Sequence, residues 1–213
     1  MKHKYIVFDW DGTLADTYPV ISAAYDYIFD KIGQKRVPYA EIKQITSTLQ
    51  NKDILGFVFK DKKEEAARYY YEYIEKFHTQ NLKAFDGAED LLKFCKDKNL
   101  KIFLLTNKKT KYIGEELKKL GLSQYFDKVV AAGECVQDKP HPIACFALFD
   151  GEKPKAEEVL VIGDGDADVK TAHCYDTENY RADVVICDRN DTYCGEEPTY
   201  KVKSLAEVKD IIF

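Results

Sequence analysis

Four short polar segments of the chain carry residue types suited to chemistry. They contain carboxylates, a threonine hydroxyl, an asparagine amide and a lysine, and their sequences are Asp9-Trp10-Asp11-Gly12-Thr13, Thr106-Asn107, Asp138-Lys139-Pro140-His141-Pro142 and Gly163-Asp164-Gly165-Asp166-Ala167-Asp168. Clustered carboxylates repel one another, so a divalent cation is needed to hold them together, and oxygen ligands favour Mg²⁺. Mg²⁺ usually shares its coordination sphere with a substrate phosphate, whose other oxygens accept hydrogen bonds from hydroxyl, amide and ammonium donors. If the four segments meet, they form a site for phosphoryl transfer.

Apolar runs precede three of these segments and predict the strands that position them. Five runs have the character of β-strands, namely Tyr5–Phe8, Lys101–Leu105, Lys128–Ala132, Val159–Ile162 and Ala182–Cys187. Most are continuously apolar, which is typical of strands buried on both faces of a parallel sheet. Helical patterns at 88–98, 111–120 and 205–212 alternate with them. The alternation predicts an α/β fold with a doubly wound, Rossmann-like parallel sheet, in which ligands bind at the carboxyl ends of the strands.

Residues 17–84 interrupt this alternation, because they contain helical patterns and no convincing strand. Helices are predicted there at 18–32, 39–46, 51–59 and 61–77. We therefore expect a core domain formed by residues 1–16 and 85–213, and an all-α helical cap domain, residues 17–84, over the active edge of the core. The loop 46–53 between two cap helices would reach that edge, with three candidates to contact the leaving group, Gln50, Asn51 and Lys52.

Composition and charge argue against several classes of partner. The net charge of −5 and the scattered basic residues disfavour nucleic acid, whose partners usually carry a basic patch. No run approaches the roughly 20 apolar residues of a membrane helix. The N-terminal apolar run stops at Asp9, which makes it too short for a signal peptide. We therefore expect neither nucleic acid nor a membrane as a partner, and a cytoplasmic location.

The six cysteines fall at irregular intervals and form no Cys-x-x-Cys pair. This pattern is typical of inert thiols in a reducing compartment. The alternative is a metal site built from His141, Cys145, His173 and Cys174. Zinc ligands usually come in closely spaced pairs, so the sequence disfavours this alternative.

In their order along the chain, the four polar segments resemble the signature motifs of the haloacid dehalogenase-like (HAD) hydrolase superfamily, nearest to its phosphoglycolate-phosphatase-like branch. The resemblance spans residues 5–172, and the helical insert lies where that branch has its cap. It implies that Asp9 is the nucleophile that forms an aspartyl phosphate, and that Asp11 is the general acid and base. It also implies that Asp11 binds Mg²⁺ through its backbone carbonyl. The implied phosphate-binding residues are Thr106, Asn107 and Lys139, and the implied Mg²⁺ ligands are Asp9, Asp11, Asp164 and Asp168.

The resemblance implies a Mg²⁺-dependent phosphatase that acts on a small phosphorylated metabolite, and we expect a monomer or a weak homodimer. One alternative is a sugar-phosphate mutase of the β-phosphoglucomutase type, which usually has a cap arginine for a second phosphate. Arg36 and Arg68 lie outside the loop 46–53, which disfavours the mutase. Another alternative is a non-catalytic phosphate-binding regulatory module, which the complete set of catalytic residues disfavours.

Several features depart from the family pattern, and Asp86-Gly87, where the family commonly has Pro-Gly, is expected to have little consequence. Asp166 is an additional acid, which we expect at a solvated loop position. The spacing of Asp164, Asp166 and Asp168 could suggest a calcium-binding loop. Such a loop needs Gly at its sixth position and Glu at its twelfth, where the chain has Val169 and Tyr175, so the sequence excludes it. Residues 172–181 do not follow the family's usual sequence, so an unusual connection is expected before the fifth strand.

Overall fold

The computed structural model describes residues 2–47, 54–151 and 153–212 of the 213-residue chain. The predicted leaving-group contacts Gln50, Asn51 and Lys52 lie outside the described residues. The chain divides into two compact units, one formed by Met1–Asp16 with Lys83–Phe213 and the other by Thr17–Leu82. Within the described ranges, no helix combines the length and the apolar character that crossing a membrane requires.

Strands and helices alternate along the first unit, and the second unit is helical. The strands are β1 (Tyr5–Phe8), β2 (Ala15–Asp16), β3 (Lys83–Ala84), β4 (Lys101–Lys109), β5 (Lys128–Ala132), β6 (Val159–Gly163), β7 (Asp183–Cys187) and β8 (Tyr200–Val202). The helices are α1 (Tyr18–Ile32), α2 (Tyr39–Ser47), α3 (Ile54–Phe59), α4 (Lys63–Phe77), α5 (Ala88–Asp97), α6 (Thr110–Leu120), α7 (Pro142–Ala147), α8 (Asp166–His173) and α9 (Leu205–Ile211).

The first unit is built on a six-stranded sheet with the order β5-β4-β1-β6-β7-β8, in which neighbouring strands are parallel. The sheet is flanked by helices, which confirms the predicted α/β fold. Its central strand is β1, where Val7 lies opposite Phe103 of β4 and Val161 of β6. The strand order reverses beside β1, and doubly wound sheets bind their ligands at such a point. The polar segments that follow β1 and β6 therefore meet there, together with Thr106-Asn107 near the carboxyl end of β4.

The connection between α8 and β7 is held by its own side chains. Tyr175 is fully buried, and its hydroxyl donates a hydrogen bond to the backbone oxygen of Cys145 at 3.0 Å. Asp176 accepts a hydrogen bond from the backbone N–H of Ala182 at 2.9 Å, just before β7 begins. The unusual sequence thus packs an aromatic ring into the core. The short strand β8, which adds to the sheet beyond β7, was not predicted from the sequence.

The second unit has a hydrophobic core of its own, formed by Tyr25, Ile28, Phe29, Ile42, Phe59 and Ala66. The helix α1 ends at Ile32 and is capped by Gly33, which adopts a left-handed conformation with φ of 72°. Tyrosines of α4 pack against α1, since the rings of Tyr69 and Tyr73 lie 6.2 and 5.4 Å from that of Tyr27. These tyrosines therefore contribute to helix packing.

Candidate active site

A buried lysine between two carboxylates forms the centre of the site. Asp9 follows β1 and extends its ladder, because its backbone N–H donates to the oxygen of Ile162 at 2.9 Å. The ammonium of Lys139 lies 2.5 Å from Oδ1 of Asp9 and 2.9 Å from Oδ1 of Asp168. Lys139 is 7% exposed and Asp9 is 8% exposed. The lysine is therefore a fixed part of the site and not a solvated surface residue.

The loop before α7 holds Lys139 in this position. The side-chain amide of Asn107 donates a hydrogen bond to the backbone oxygen of Lys139 at 3.0 Å. The backbone oxygen of Asp138 accepts from the N–H of His141 at 3.0 Å, which closes the loop into a turn. Asn107, a predicted phosphate ligand, thus contacts the backbone of another predicted ligand.

Thr106 lies at the same sheet edge, within β4, and is 2% exposed. Its hydroxyl oxygen accepts a hydrogen bond from the backbone N–H of Lys108 at 3.1 Å. Because the oxygen is the acceptor in that bond, the hydroxyl hydrogen can be donated elsewhere. The geometry is compatible with a phosphate-binding role.

Asp168 uses both carboxylate oxygens inside the site. Oδ1 accepts from Lys139, and Oδ2 accepts from the backbone N–H groups of Asp164 and Gly165, each at 3.1 Å. The turn is tight, because a Cβ atom on Gly163 would lie 2.0 Å from Cγ of Asp168. Asp168 therefore links the turn after β6 to the buried lysine.

Three carboxylates at this edge form a group that could hold a metal ion. One oxygen each from Asp9, Asp164 and Asp168 lies within 4.8 Å of the others. Burial raises the pKa of Asp9 to about 8, and the neighbouring carboxylates add to this effect although Lys139 opposes it. One ammonium cannot balance three carboxylates, so the donor set fits a divalent cation that prefers oxygen ligands. Among the described residues, the alternative zinc ligands His141, Cys145, His173 and Cys174 do not gather in such a group.

Gly12 allows the turn after β1 to approach this acidic group. Its φ is +79°, which lies in the left-handed region, and an added Cβ would be 2.3 Å from Oδ2 of Asp164. Glycine adopts this conformation without the steric cost of a side chain. The Gly in the first polar segment is thus required both by the backbone and by the space beside Asp164.

A lysine outside the predicted set contacts Asp11. Nζ of Lys108 lies 2.7 Å from Oδ1 of Asp11 and 2.8 Å from each carboxylate oxygen of Glu116. Burial lowers the pKa of Lys108, and the carboxylates of Asp11 and Glu116 raise it by more, so the side chain stays charged. Glu116 lies on the buried face of α6 beside Leu117. A charged residue on an apolar helix face is the sequence signal that could have revealed this contact.

Arg189 also lies outside the predicted set and holds the turn after β1. Its guanidinium donates to the backbone oxygens of Gly12 at 2.6 Å and Thr13 at 2.9 Å. The same group stacks over the ring of Phe85, 3.7 Å from the ring centroid. Arg189 follows β7 by two residues, so its signal in the sequence is a basic residue after a buried strand.

The prediction that Asp166 occupies a solvated loop is wrong. Asp166 begins α8 and is 9% exposed. Its carboxylate pairs with Lys170 at 2.5 Å and accepts from the backbone N–H of Glu196 at 3.0 Å. A carboxylate is favourable in the first turn of a helix, because it faces the positive end of the helix dipole. Asp166 thus joins α8 to the segment before β8.

Comparisons with a protein family, with individual proteins and with solved structures all find hydrolases that are similar to this chain. Residues 6–179 match a family described as haloacid dehalogenase-like hydrolase. A phosphoglycolate phosphatase from Photobacterium profundum is 30% identical over 183 residues, covering 79% of this chain and 78% of that protein. Pyrophosphatase PpaX from Halalkalibacterium halodurans is 23% identical over 218 aligned positions, covering 100% and 98% of the two chains. Among solved structures, a haloacid dehalogenase-like hydrolase from Streptococcus pneumoniae superimposes with a TM-score of 0.79 at 19% identity, covering 100% of this chain and 99% of that chain.

Proposed function

The chain belongs to the haloacid dehalogenase-like hydrolase family and is a phosphatase, and we propose that it hydrolyses small phosphorylated metabolites through an aspartyl phosphate on Asp9 in a Mg²⁺-dependent reaction. The family match and the phosphatase relatives support the reaction class. The observation that carries the finer proposal is the buried contact between Lys139 and both Asp9 and Asp168, beside Asp164. A carboxylate nucleophile, an ammonium and further carboxylates are the groups that phosphoryl transfer requires.

In the first step, a carboxylate oxygen of Asp9 attacks phosphorus, and the bond from phosphorus to the leaving oxygen breaks. Asp11 donates a proton to that oxygen, so the leaving group departs as an alcohol. Lys139 lies next to Asp9, where it offsets the charge of the phosphoryl oxygens. Thr106 and Asn107 are proposed to donate hydrogen bonds to those oxygens.

In the second step, water attacks the aspartyl phosphate. Asp11 takes a proton from this water, the bond between phosphorus and Asp9 breaks, and inorganic phosphate leaves. Both carboxyl groups then return to their starting states. Asp9, Asp164, Asp168 and the backbone carbonyl of Asp11 would hold Mg²⁺, which supplies positive charge for the phosphate oxygens when it is bound.

The test of the nucleophile is a rapid-quench experiment with an aryl phosphate and Mg²⁺. The wild-type enzyme is expected to form a phosphoenzyme that hydroxylamine cleaves, with the added mass on the peptide that contains Asp9. Asp9→Asn is expected to form none and to lose about 10⁴–10⁶-fold in kcat, the range found when single members of a covalent catalytic unit are removed. Asp97→Asn, at an exposed position at the end of α5, is the matched control. Phosphate release by Asp9→Asn at the wild-type rate would overturn the proposal.

The substrate class is tested with a panel of small phosphorylated compounds, scored for release of inorganic phosphate. The names of two relatives, a phosphoglycolate phosphatase and a pyrophosphatase, support the inclusion of phosphoglycolate and pyrophosphate. We expect Mg²⁺-dependent phosphate release from at least one member. Conversion of a hexose 1-phosphate to its isomer without phosphate release would instead identify a mutase.

A further inference from the structure

We propose that Lys108 and Glu116 are positioning residues that orient the carboxyl group of Asp11 toward the leaving group. This inference rests on the proposed function, because it assigns a role to residues that contact the general acid. Lys108 lies in β4, two residues after Thr106, and Glu116 lies on the following helix, α6.

The contacts form a continuous path behind the first polar segment. Lys108 donates to Oδ1 of Asp11 at 2.7 Å and to both oxygens of Glu116 at 2.8 Å. Glu116 also accepts a hydrogen bond from the indole N–H of Trp10 at 2.6 Å. Trp10 is the residue between Asp9 and Asp11, and it is fully buried. The path therefore begins and ends on the segment that carries the nucleophile and the acid.

The burial of this network argues for a role beyond stability. Glu116 is 0% exposed, and the side chain of Lys108 is 10% exposed. Buried ion pairs contribute little net stability, because removing both charges from water costs about as much as their attraction returns. This pair is therefore explained better by the geometry that it imposes. Here the geometry concerns the orientation of a single carboxyl group.

The hydrogen bond from Lys108 determines which oxygen of Asp11 can exchange protons. Since Oδ1 accepts from Lys108, the transferred proton is carried on Oδ2. The negative charge of Glu116 balances the positive charge of Lys108, so the pair orients the carboxyl group of Asp11 without adding net charge beside it. Proton transfer depends on the correct placement of donor and acceptor atoms, and a freely rotating carboxyl group would satisfy it only part of the time.

The test compares substituted phenyl phosphates whose leaving groups differ in the protonation that they need. For Lys108→Met, kcat/KM with phenyl phosphate is expected to fall about 100-fold, the size of a typical general-acid contribution. With 2,4-dinitrophenyl phosphate the fall is expected to be less than about threefold, because this leaving group departs without a proton. The same variant should release a burst of one dinitrophenolate per active site, since Asp11 also activates the water of the second step.

Further variants separate positioning from folding. For Glu116→Gln, the loss in kcat/KM with phenyl phosphate should exceed the loss with 2,4-dinitrophenyl phosphate by about tenfold. Lys108→Arg should lose less kcat/KM with phenyl phosphate than Lys108→Met. If Lys108→Met is poorly folded because Glu116 loses its cationic partner, the double variant Lys108→Met/Glu116→Gln removes both charges and must show the same steep dependence. Lys118→Met and Glu115→Gln, at exposed positions of α6, should keep the wild-type dependence.

Equal losses with all leaving groups, or a wild-type dependence in Lys108→Met, would overturn the positioning role. The two proposals fail separately. Absence of a phosphoenzyme on Asp9 in the wild-type enzyme would refute the proposed function. A wild-type phosphoenzyme together with an unchanged leaving-group dependence in Lys108→Met would refute the positioning role alone.

Discussion

Lys139 contacts two carboxylates at once, although it is almost entirely buried. A buried charge is stable only when it is paired and hydrogen bonded. Asp9 and Asp168 provide that pairing, and the lysine in turn offsets their mutual repulsion. The same ammonium lies beside the proposed nucleophile, where the phosphoryl group would bind. One side chain thus stabilises the two carboxylates and supplies positive charge for an anionic substrate.

Replacing Lys139 with Met should therefore affect catalysis strongly. We expect kcat to fall about 10²–10³-fold, the range seen when a single electrostatic contact to a transition state is removed. Steady-state kinetics with an aryl phosphate at saturating Mg²⁺ measures the effect. Lys155→Met is the control, because Lys155 is exposed and lies before β6. Full activity of Lys139→Met would contradict the assigned role.

Gly12 allows a separate test of the acidic group. Gly12→Ala should lower the free energy of unfolding by about 1–2 kcal/mol, the cost of a left-handed conformation for an L-residue. It should also raise the Mg²⁺ concentration needed for half-maximal activity, because the new Cβ would displace Asp164. Urea unfolding and a Mg²⁺ titration of activity measure the two effects.

The matched control is Gly114→Ala in α6, where an added Cβ meets no atom within 4 Å. This change should stabilise the protein by about 0.5–1 kcal/mol, because alanine favours a helix over glycine. An unaltered Mg²⁺ requirement in Gly12→Ala would show that the approach of Gly12 to Asp164 is unimportant for metal binding.

At the level of elements, the ends of distant strands are tied together by side chains. Arg189 follows β7 and donates two hydrogen bonds to the turn after β1, while it stacks on Phe85 beyond β3. The backbone oxygens of Gly12 and Thr13 lie in the turn after β1, outside the strands. The planar guanidinium of Arg189 has several N–H donors, and it donates one hydrogen bond to each of these oxygens. The turn that carries Asp11 is therefore held from the opposite half of the sheet.

Arg189→Met should remove the two hydrogen bonds to the turn after β1 and leave the packing of the hydrophobic core intact. We expect the free energy of unfolding to fall by about 1.5–3 kcal/mol, since the lost hydrogen bonds have a charged donor. Urea unfolding monitored by circular dichroism measures this change, and kcat should fall as the turn loses its position. Arg181→Met, at an exposed position, is the control. Equal stability of the two variants would contradict the role of Arg189.

At the level of the whole molecule, the acidic group links metal binding to stability. Three carboxylates lie together at the edge of the sheet in the first unit, and one ammonium contacts two of them. Their repulsion destabilises the folded chain in the absence of a cation and is absent from the unfolded chain, where the residues are far apart. A cation that binds only the folded state must therefore raise its stability.

Mg²⁺ is expected to raise the melting temperature, and a chelator should reverse the effect. At a Mg²⁺ concentration of 100 times Kd, the gain is about 2.7 kcal/mol, and for a chain of this size it corresponds to about 5–10 °C. Differential scanning calorimetry measures the shift. Asp164→Asn should abolish it, whereas Asp97→Asn should retain it. A wild-type melting temperature independent of Mg²⁺ would contradict the metal site.

The sequence by itself determined the fold class and the principal candidate residues. Continuous apolar runs predict parallel strands, because both faces of such strands are buried. Parallel strands point their carboxyl ends to one edge, so the residues after β1 and β6 could be assigned to a common site before any contact was known. Asp9 and Asp164 meet for this reason. Local signals did not predict β8, whose three residues are too few to form a pattern.

The tertiary structure decided how those residues are held. Lys108 and Asp11 are 97 positions apart, and Trp10 and Glu116 are 106 positions apart, so no local pattern connects them. The prediction of a solvated Asp166 was wrong because one of its partners, the backbone N–H of Glu196, belongs to a segment that only the folded chain brings close. Periodicity reports which face of an element is buried. The partners of a buried charge depend on the order of the strands, which the folded sheet alone establishes.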